Sequence, residues 1–304
     1  MELAVNYSPT AANLVAAKRI DFDRFKCPAW PDLIASMPAS RPIYVHFPLM
    51  IGKGLGDAFD TETKQVADWD RILALRASTS TPLINLHLES LALDHPDIPR
   101  DSVAPDHVER VITTLVRDAR AVMARVGAEN VIVENLYDLG GKSLRASYLP
   151  DVIRRVVEEA GCGFLFDVSH ARLAARSLGV DAREYIARLP TTRTREIHIT
   201  GIQPIDAAFL ATVRHAGLPT ERWERYGLGA VDHMAFADED WAFAAWAFDR
   251  IRTGVWSQPW IVSLEYGGLG KFWQAFSDAR VLEDVVPRLN ALVRSVNRGN
   301  RSAG

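Results

Sequence analysis
The chain has 304 residues, 48% of them hydrophobic and 24% charged, with a formal net charge of −3. That is enough material for a sizeable core, in one large α/β domain or two ordinary ones. The acidic balance excludes a protein built mainly to hold nucleic acid, which needs a Lys/Arg surplus to neutralise phosphates. No apolar run approaches the roughly 20 residues that span a bilayer, and no signal-like opening is expected to direct the chain to a membrane. The two cysteines, Cys27 and Cys162, read as reduced thiols of a cytoplasmic protein.

Taken in order, Glu2–Tyr7 reads as a strand and Ser8-Pro9-Thr10 as a helix start, with Pro in the first turn. Asp21–Ala39, rich in Pro and aromatics, is expected to pack across one end of a barrel. Pro42–Pro48 is the second expected strand and carries His46. The loop with Gly52, Gly54 and Gly56 lacks the Lys-Ser/Thr ending of a phosphate loop, so it gives no support to nucleotide binding. Thr61–Ala77 has helical spacing. Pro82–Ser90 is the third strand, with His87 and Glu89 on one side because strand side chains alternate.

Pro105–Val126 is an amphipathic helix stopped by Gly127, and Asn130–Tyr137 a fourth strand that delivers Glu134 and Asn135. After a helix over Tyr148–Ala160 comes Gly163-Phe164-Leu165-Phe166. This run has no polar alternation and expects cover on both faces, as parallel strands under helices have. Asp167 and His170 follow it directly. Arg195–Gly201 is the sixth strand, carrying His198, and an irregular region leads to Ala230–Phe236, the seventh strand or its loop. A Trp-rich helix over Asp238–Ile251 precedes Pro259–Gly267, the eighth strand, ending in Glu265. The last helix runs to about Val296 and leaves a flexible tail, 297–304. Eight strands alternating with helices predict a single (β/α)8 barrel over residues 1–296, α/β in class.

The polar residues follow one rule. His46, His87, Glu134, Asp167, His170, His198, His233 and Glu265 all lie in or just past the ends of apolar strands. In such a barrel those ends converge on one face. A single histidine on an apolar strand is more often a hydrogen-bonded core residue, and a single acid can be an ion-pair partner. Several together are costly unless a cation compensates them. Mixed nitrogen and oxygen donors suit iron, manganese or zinc. His95, His107 and His215 read as turn or solvated residues. Asn6, Asn85, Asn135 and Tyr266 either orient ligands or satisfy backbone groups. Trp241, Phe243, Trp246 and Phe248, at helical spacing, read as packing.

The order His46, His87, Glu134, Asp167-x-x-His170, His198, Asp232-His233, Glu265 resembles the ligand order of the xylose isomerase-like barrels. Val133-Glu134-Asn135, Phe166–His170, Tyr185 with Leu189-Pro190, and Glu196–Gly201 resemble the multinuclear non-haem iron-dependent oxidases. The known members modify cysteine in peptides, as in methanobactin biosynthesis. The resemblance implies two or three metal ions held by the eight residues and Asp232, iron first, with zinc or manganese as alternatives. It also implies Glu134 or Glu265 as a bridge, Glu134, Glu265 and His170 in catalysis, dioxygen as oxidant, and a small-molecule or peptide substrate that a partner protein presents. Two departures stand out: the family commonly has Asn where His170 stands, and Asp-x-His where this chain has adjacent Asp232-His233. Adjacent side chains on an extended strand point to opposite faces, so both reach one site only if the backbone bends there.

The competing class is a sugar isomerase or epimerase, with one ion on Glu134, Asp167, His198 and Glu265; it leaves His46, His87, His170 and His233 unused. An endonuclease IV-like nuclease fits the ligand order but not the charge. A non-catalytic metal-binding barrel predicts a coordinatively closed site.

Overall fold
A computed structural model describes residues 1–37, 41–138, 140–224 and 229–301. The chain is α/β, with parallel strands and helices alternating. It divides into two compact units, Met1–Lys26 with Ala39–Pro42 and Glu196–Gly304, and Cys27–Pro38 with Ile43–Arg195.

In the first unit, strand Glu2–Asn6 pairs in parallel with Arg24–Lys26 on one side and with Ile261–Leu264 on the other. Ile261–Leu264 pairs in turn with Glu196–Ile199. Leu3, Ala4, Val5, Ile261, Val262 and Leu264 are all fully buried, as expected of strands covered on both faces. Helix Ala279–Arg301 packs on Glu2–Asn6 and on helix Pro9–Ala16, whose first turn Ser8 caps through its hydroxyl. Gly201–Pro204 and Ala230–Met234 form a separate antiparallel pair. Gly201 has to be glycine here, because a Cβ would lie 2.1 Å from the Ala235 carbonyl oxygen. Beside this pair Phe209, Val213, Val231 and Met234 form a core with Trp223, Phe272, Trp273 and Phe276 against it.

In the second unit the parallel strands run Leu49–Ile51, Ile84–Leu88, Val131–Asn135, Gly163–Asp167. Two short antiparallel strands, Phe59–Asp60 and Gln65–Val66, extend it. Phe164 and Phe166 are completely buried with stacked rings, which bears out the double cover expected of that run. Helices Pro105–Val126 and Pro150–Ala160 pack together, and Gly127 and Gly161 end them at positive φ.

Asp151 lies in the first turn of the second of these helices, where a carboxylate is favoured. The Arg188 guanidinium hydrogen-bonded to it holds its carboxyl below the usual range. A lowered value means that the stabilisation is present above the ordinary carboxylate pKa and is lost as pH falls through the folded one. Because the pair is half exposed, Asp151→Asn should cost only about 0.5 kcal/mol at pH 7. The difference should vanish once the pH falls below the folded-state value of Asp151. Urea denaturation at neutral and at acid pH checks this.

Three expectations change. Ala230–Met234 is a strand, but its partner is antiparallel, and the parallel set instead contains Arg24–Pro28, inside the segment expected to cap one end. The covering helix expected over Thr61–Ala77 starts only at Trp69, because Asp68 caps it and the preceding residues are edge strand and turn. The last helix continues to Arg301, five residues past its expected end, and residues 302–304 of the expected tail lie outside the described residues.

Candidate metal centre
The second unit gathers five of the predicted residues. Strand register sets His87 beside Glu134. Asn85, two residues before His87, forms both bonds of a backbone pair with Phe47: its Oδ1 accepts from the amide at 2.8 Å and its Nδ2 donates to the carbonyl at 3.0 Å. This ties the strand end carrying His46 to the one carrying His87. The resulting distances are 3.1 Å from His46 Nε2 to His87 Nε2, 3.3 Å from His87 Nε2 to Glu134 Oε2, and 3.5 Å from His46 Nε2 to Glu134 Oε2. Donors held about 2.1 Å from one ion stand about 3.0 Å apart in an octahedron and about 3.4 Å apart in a tetrahedron. The triangle matches that spacing.

The His87 tautomer supports the match. His87 Nδ1–H donates to the Leu49 carbonyl at 2.9 Å, which leaves Nε2 as its lone pair. Metal-ligating histidines are commonly oriented in this way. Glu134 is 2% exposed, whereas the side chains of His46 and His87 are 17% and 22% exposed. The acid is therefore buried and the imidazole edges face solvent.

The other oxygen, Glu134 Oε1, is 3.4 Å from His170 Nδ1. Strand Gly163–Asp167 runs directly into helix Val168–Leu178, and Asp167 is its N-cap. One Asp167 oxygen accepts from the His170 amide at 2.7 Å, and the other is 3.7 Å from His170 Nδ1. Asn135 does for this strand end what Asn85 does for His46, pairing its amide with the Asp167 backbone at 2.9 and 3.0 Å. Its own carbonyl accepts from His170 Nδ1 at 3.0 Å, so the lone pair His170 offers is Nε2. Glu134, Asp167 and His170 present donor atoms within 4.8 Å of one another.

The first unit gathers the other four. His198 Nε2 donates to Glu196 at 2.9 Å, and its Nδ1 is 3.3 Å from Glu265 Oε1. His233 Nε2 is 3.5 Å from Glu265 Oε2. His233 has φ +60°, in the left-handed region, and the pairing of its strand with Gly201–Pro204 slips register there. The bend that adjacent Asp232 and His233 require is thus present, and they bring donor atoms within 4.8 Å of each other. The Trp273 ring lies 4.9 Å from that of His233.

Sequence reasoning missed two residues of this group. Glu196 shares a face with His198 by strand alternation, a signal that was available. Lys26 was not recognised because its strand lies in the Pro-rich stretch; it is 6% exposed and ion-paired with Glu265.

Other candidates resolve to structure. Tyr266 donates to the Phe276 carbonyl and accepts from the Asp278 amide. Tyr185 donates to the Tyr148 carbonyl. His95 contacts the Gly52 carbonyl and His107 the Ser102 hydroxyl. Phe243 and Phe248 are buried, and Trp246 meets Trp256 edge-on. Both cysteines are free and buried, and burial pushes each thiol up to about 12. Burial also raises the pKa of Glu89, which accepts from Ser143.

Fold and site together define an α/β protein of parallel strands whose ends carry histidine and carboxylate groups spaced as metal ligands. A family model described as "RiPP precursor modification enzyme MbnB/TglH/ChrH" matches residues 101–224, which bears out the resemblance read from the sequence. A UPF0276 protein of Anaeromyxobacter sp. (strain Fw109-5) is 29% identical over 122 residues, 40% of this chain and 42% of that protein. A UPF0276 protein of Caulobacter sp. (strain K31) is 32% identical over 140 residues, 43% of this chain and 46% of that one. The chain thus matches less than half the length of these curated relatives. Among solved structures, a sugar phosphate isomerase/epimerase from Parabacteroides distasonis aligns over 94% of this chain and 99% of its own. Its identity is 11% and its TM-score 0.47. Among the described residues, no helix is long and apolar enough to cross a membrane.

Proposed function
We propose that this protein is a multinuclear non-haem iron oxidase that modifies a peptide, in the manner the matched family's description suggests. The observation that carries the reading is the triangle of His46 Nε2, His87 Nε2 and Glu134 Oε2 at 3.1–3.5 Å. Glu134 turns its second oxygen to His170, and Glu134, Asp167 and His170 would hold a second ion. Glu265, His198 Nδ1, His233 and Asp232 form a further donor group. These donors are nitrogen and oxygen only, and both cysteines are buried elsewhere, so the set suits iron, manganese or zinc rather than a sulfur-bound cluster.

Bound iron supplies one-electron chemistry with dioxygen as the oxidant. The chain's own work is positional. Asn85 and Asn135 fix the strand ends, Leu49 and Glu196 fix imidazole tautomers, and burial of Glu134 and Asp167 keeps the carboxylates dry. The partly exposed edges of His46 and His87 are where substrate enters. The substrate thiol is supplied by the peptide, because the protein's own thiols are buried and protonated at neutral pH. A cytoplasmic setting and a partner protein that presents the peptide belong to this reading.

Anaerobic loading with Fe(II), elemental analysis, and oxygen uptake with cysteine-containing peptides test it. Two or more ions per chain and peptide-dependent uptake are expected. A chain that binds iron yet consumes no oxygen with any peptide sinks the oxidase, and one ion per chain points to the isomerase class.

A further inference from the structure
Of the four predicted ligands in the first unit, Asp232, His198 and Glu265 are buried, while the His233 side chain is 23% exposed. The Trp273 indole lies against that imidazole, with ring centroids 4.9 Å apart and planes at 39°. Trp273 is itself only partly buried: it flanks the core of Phe209, Val213, Val231 and Met234 rather than filling it. Phe272 meets the indole edge-on at 4.8 Å. The backbone is shaped to put the ring there. Glu265 and Tyr266 are followed by Gly267 at φ +70° and Gly268 at φ +157°. A Cβ on Gly268 would stand 3.2 Å from Trp273 Cγ, so glycine lets the ring lie close against the chain that carries Glu265. The Ser277 hydroxyl donates to the Trp273 carbonyl at 2.7 Å, and a Cβ on Gly267 would crowd that hydroxyl oxygen at 2.5 Å.

Binding sites commonly join an apolar wall to a few polar groups that fix orientation. Here the wall stands beside the exposed edge of a histidine, and a substrate that reaches His233 from solvent meets the indole face. Tryptophan offers a large apolar face that pairs well with other rings. We propose that Trp273 is a specificity-determining residue, whose indole takes an apolar or aromatic side chain of the peptide next to the residue being oxidised. The inference rests on the oxidase reading for its substrate class, but the contact itself needs no ion.

Three synthetic peptides of equal length test it, each with one cysteine flanked on both sides by Phe, Lys or Gly. Calorimetry on the metal-free proteins reads binding, and oxygen uptake by the iron-loaded proteins reads kcat and KM. The wild type should bind the Phe peptide on the order of 10-fold more tightly than the Gly peptide. Trp273→Ala should abolish that difference and leave binding of the Gly peptide unchanged, whereas Trp273→Phe, which keeps a ring, should retain most of it. In the loaded proteins the loss should appear in KM, with kcat for the Gly peptide and iron content unaltered. Phe209→Leu, a change in the core behind the wall, should lower Tm but keep the preference for Phe. A wild type that favours no peptide, or favours the Lys peptide as a cation site would, overturns the proposal. So does a Trp273→Ala protein that loses affinity equally for all three, which would make the indole mere packing. Oxygen uptake without peptide preference leaves the oxidase standing and removes this inference. The expected binding pattern without oxygen uptake does the reverse.

Discussion

Replacing Glu134 by glutamine is expected to remove at least one ion per chain and to cut peptide-dependent oxygen uptake by on the order of 10³-fold or more. Changes to residues that merely orient a ligand already cost about 10–100-fold. Glu134 is placed more centrally than such residues: one oxygen faces the His46–His87 pair and the other faces His170. Glutamine keeps the shape but replaces one oxygen with an amide NH₂, a donor where an acceptor is needed. The histidine pair would remain, with Nε2 atoms 3.1 Å apart and no anion beside them. Removing the carboxylate also removes the penalty of burying it, so the metal-free variant should melt no lower than the wild type. Elemental analysis, an oxygen electrode and circular dichroism read the three parts. A Gln variant with wild-type iron content and uptake would show that Glu134 is a structural acid, and the assignment of the site would fail with it.

Much of this site was legible because parallel strands announce themselves as apolar runs, and the polar residues that interrupt their ends are conspicuous. Glu134 stands one residue before the end of a strand in which every residue is buried. Where reading failed, local composition misled. Pro28, Trp30 and Pro31 mark Arg24–Pro28 as irregular, yet only its last residue is a proline, and Lys26 was lost along with the strand. Ala230–Met234 has strand composition, but composition says nothing of its partner, and its pairing is antiparallel. Asp167 shows how a ligand and a cap are superposed: its i,i+3 relation to His170 satisfies a helix start and a metal site at once, so spacing alone could not separate them. The left-handed backbone of His233 leaves no trace in composition, since only the fold dictates where a non-glycine residue takes up positive φ.

Asp118→Ala is expected to be the most damaging single substitution away from the metal ligands. Asp118 sits in helix Pro105–Val126, completely buried, and its carboxylate accepts three backbone amides of the glycine loop. Gly52 and Gly54 donate to Oδ2 at 3.1 and 3.0 Å, and Gly56 donates to Oδ1 at 2.8 Å. The glycine loop thus wraps a carboxylate of the protein itself. Gly52 adopts φ +111°, and a Cβ there would meet the Glu89 carbonyl at 2.4 Å, so the loop cannot simply be repacked with larger residues. Alanine leaves the buried Gly52 amide with no acceptor and the outer two open to water, which should cost about 3 kcal/mol. That corresponds to a fall in Tm of about 6–10 °C for a chain of this size. Asn keeps one acceptor oxygen and should cost about half as much. The damage should also reach the site, because the loop continues strand Leu49–Ile51, whose Leu49 carbonyl fixes the His87 tautomer. Iron affinity should therefore fall by about 10-fold although no ligand has been touched. Urea denaturation, amide exchange at Gly52, Gly54 and Gly56, and iron titration read these effects. A loss below about 1 kcal/mol, with the three amides still protected, would mean that the loop is held by its own turns and that Asp118 is incidental to it.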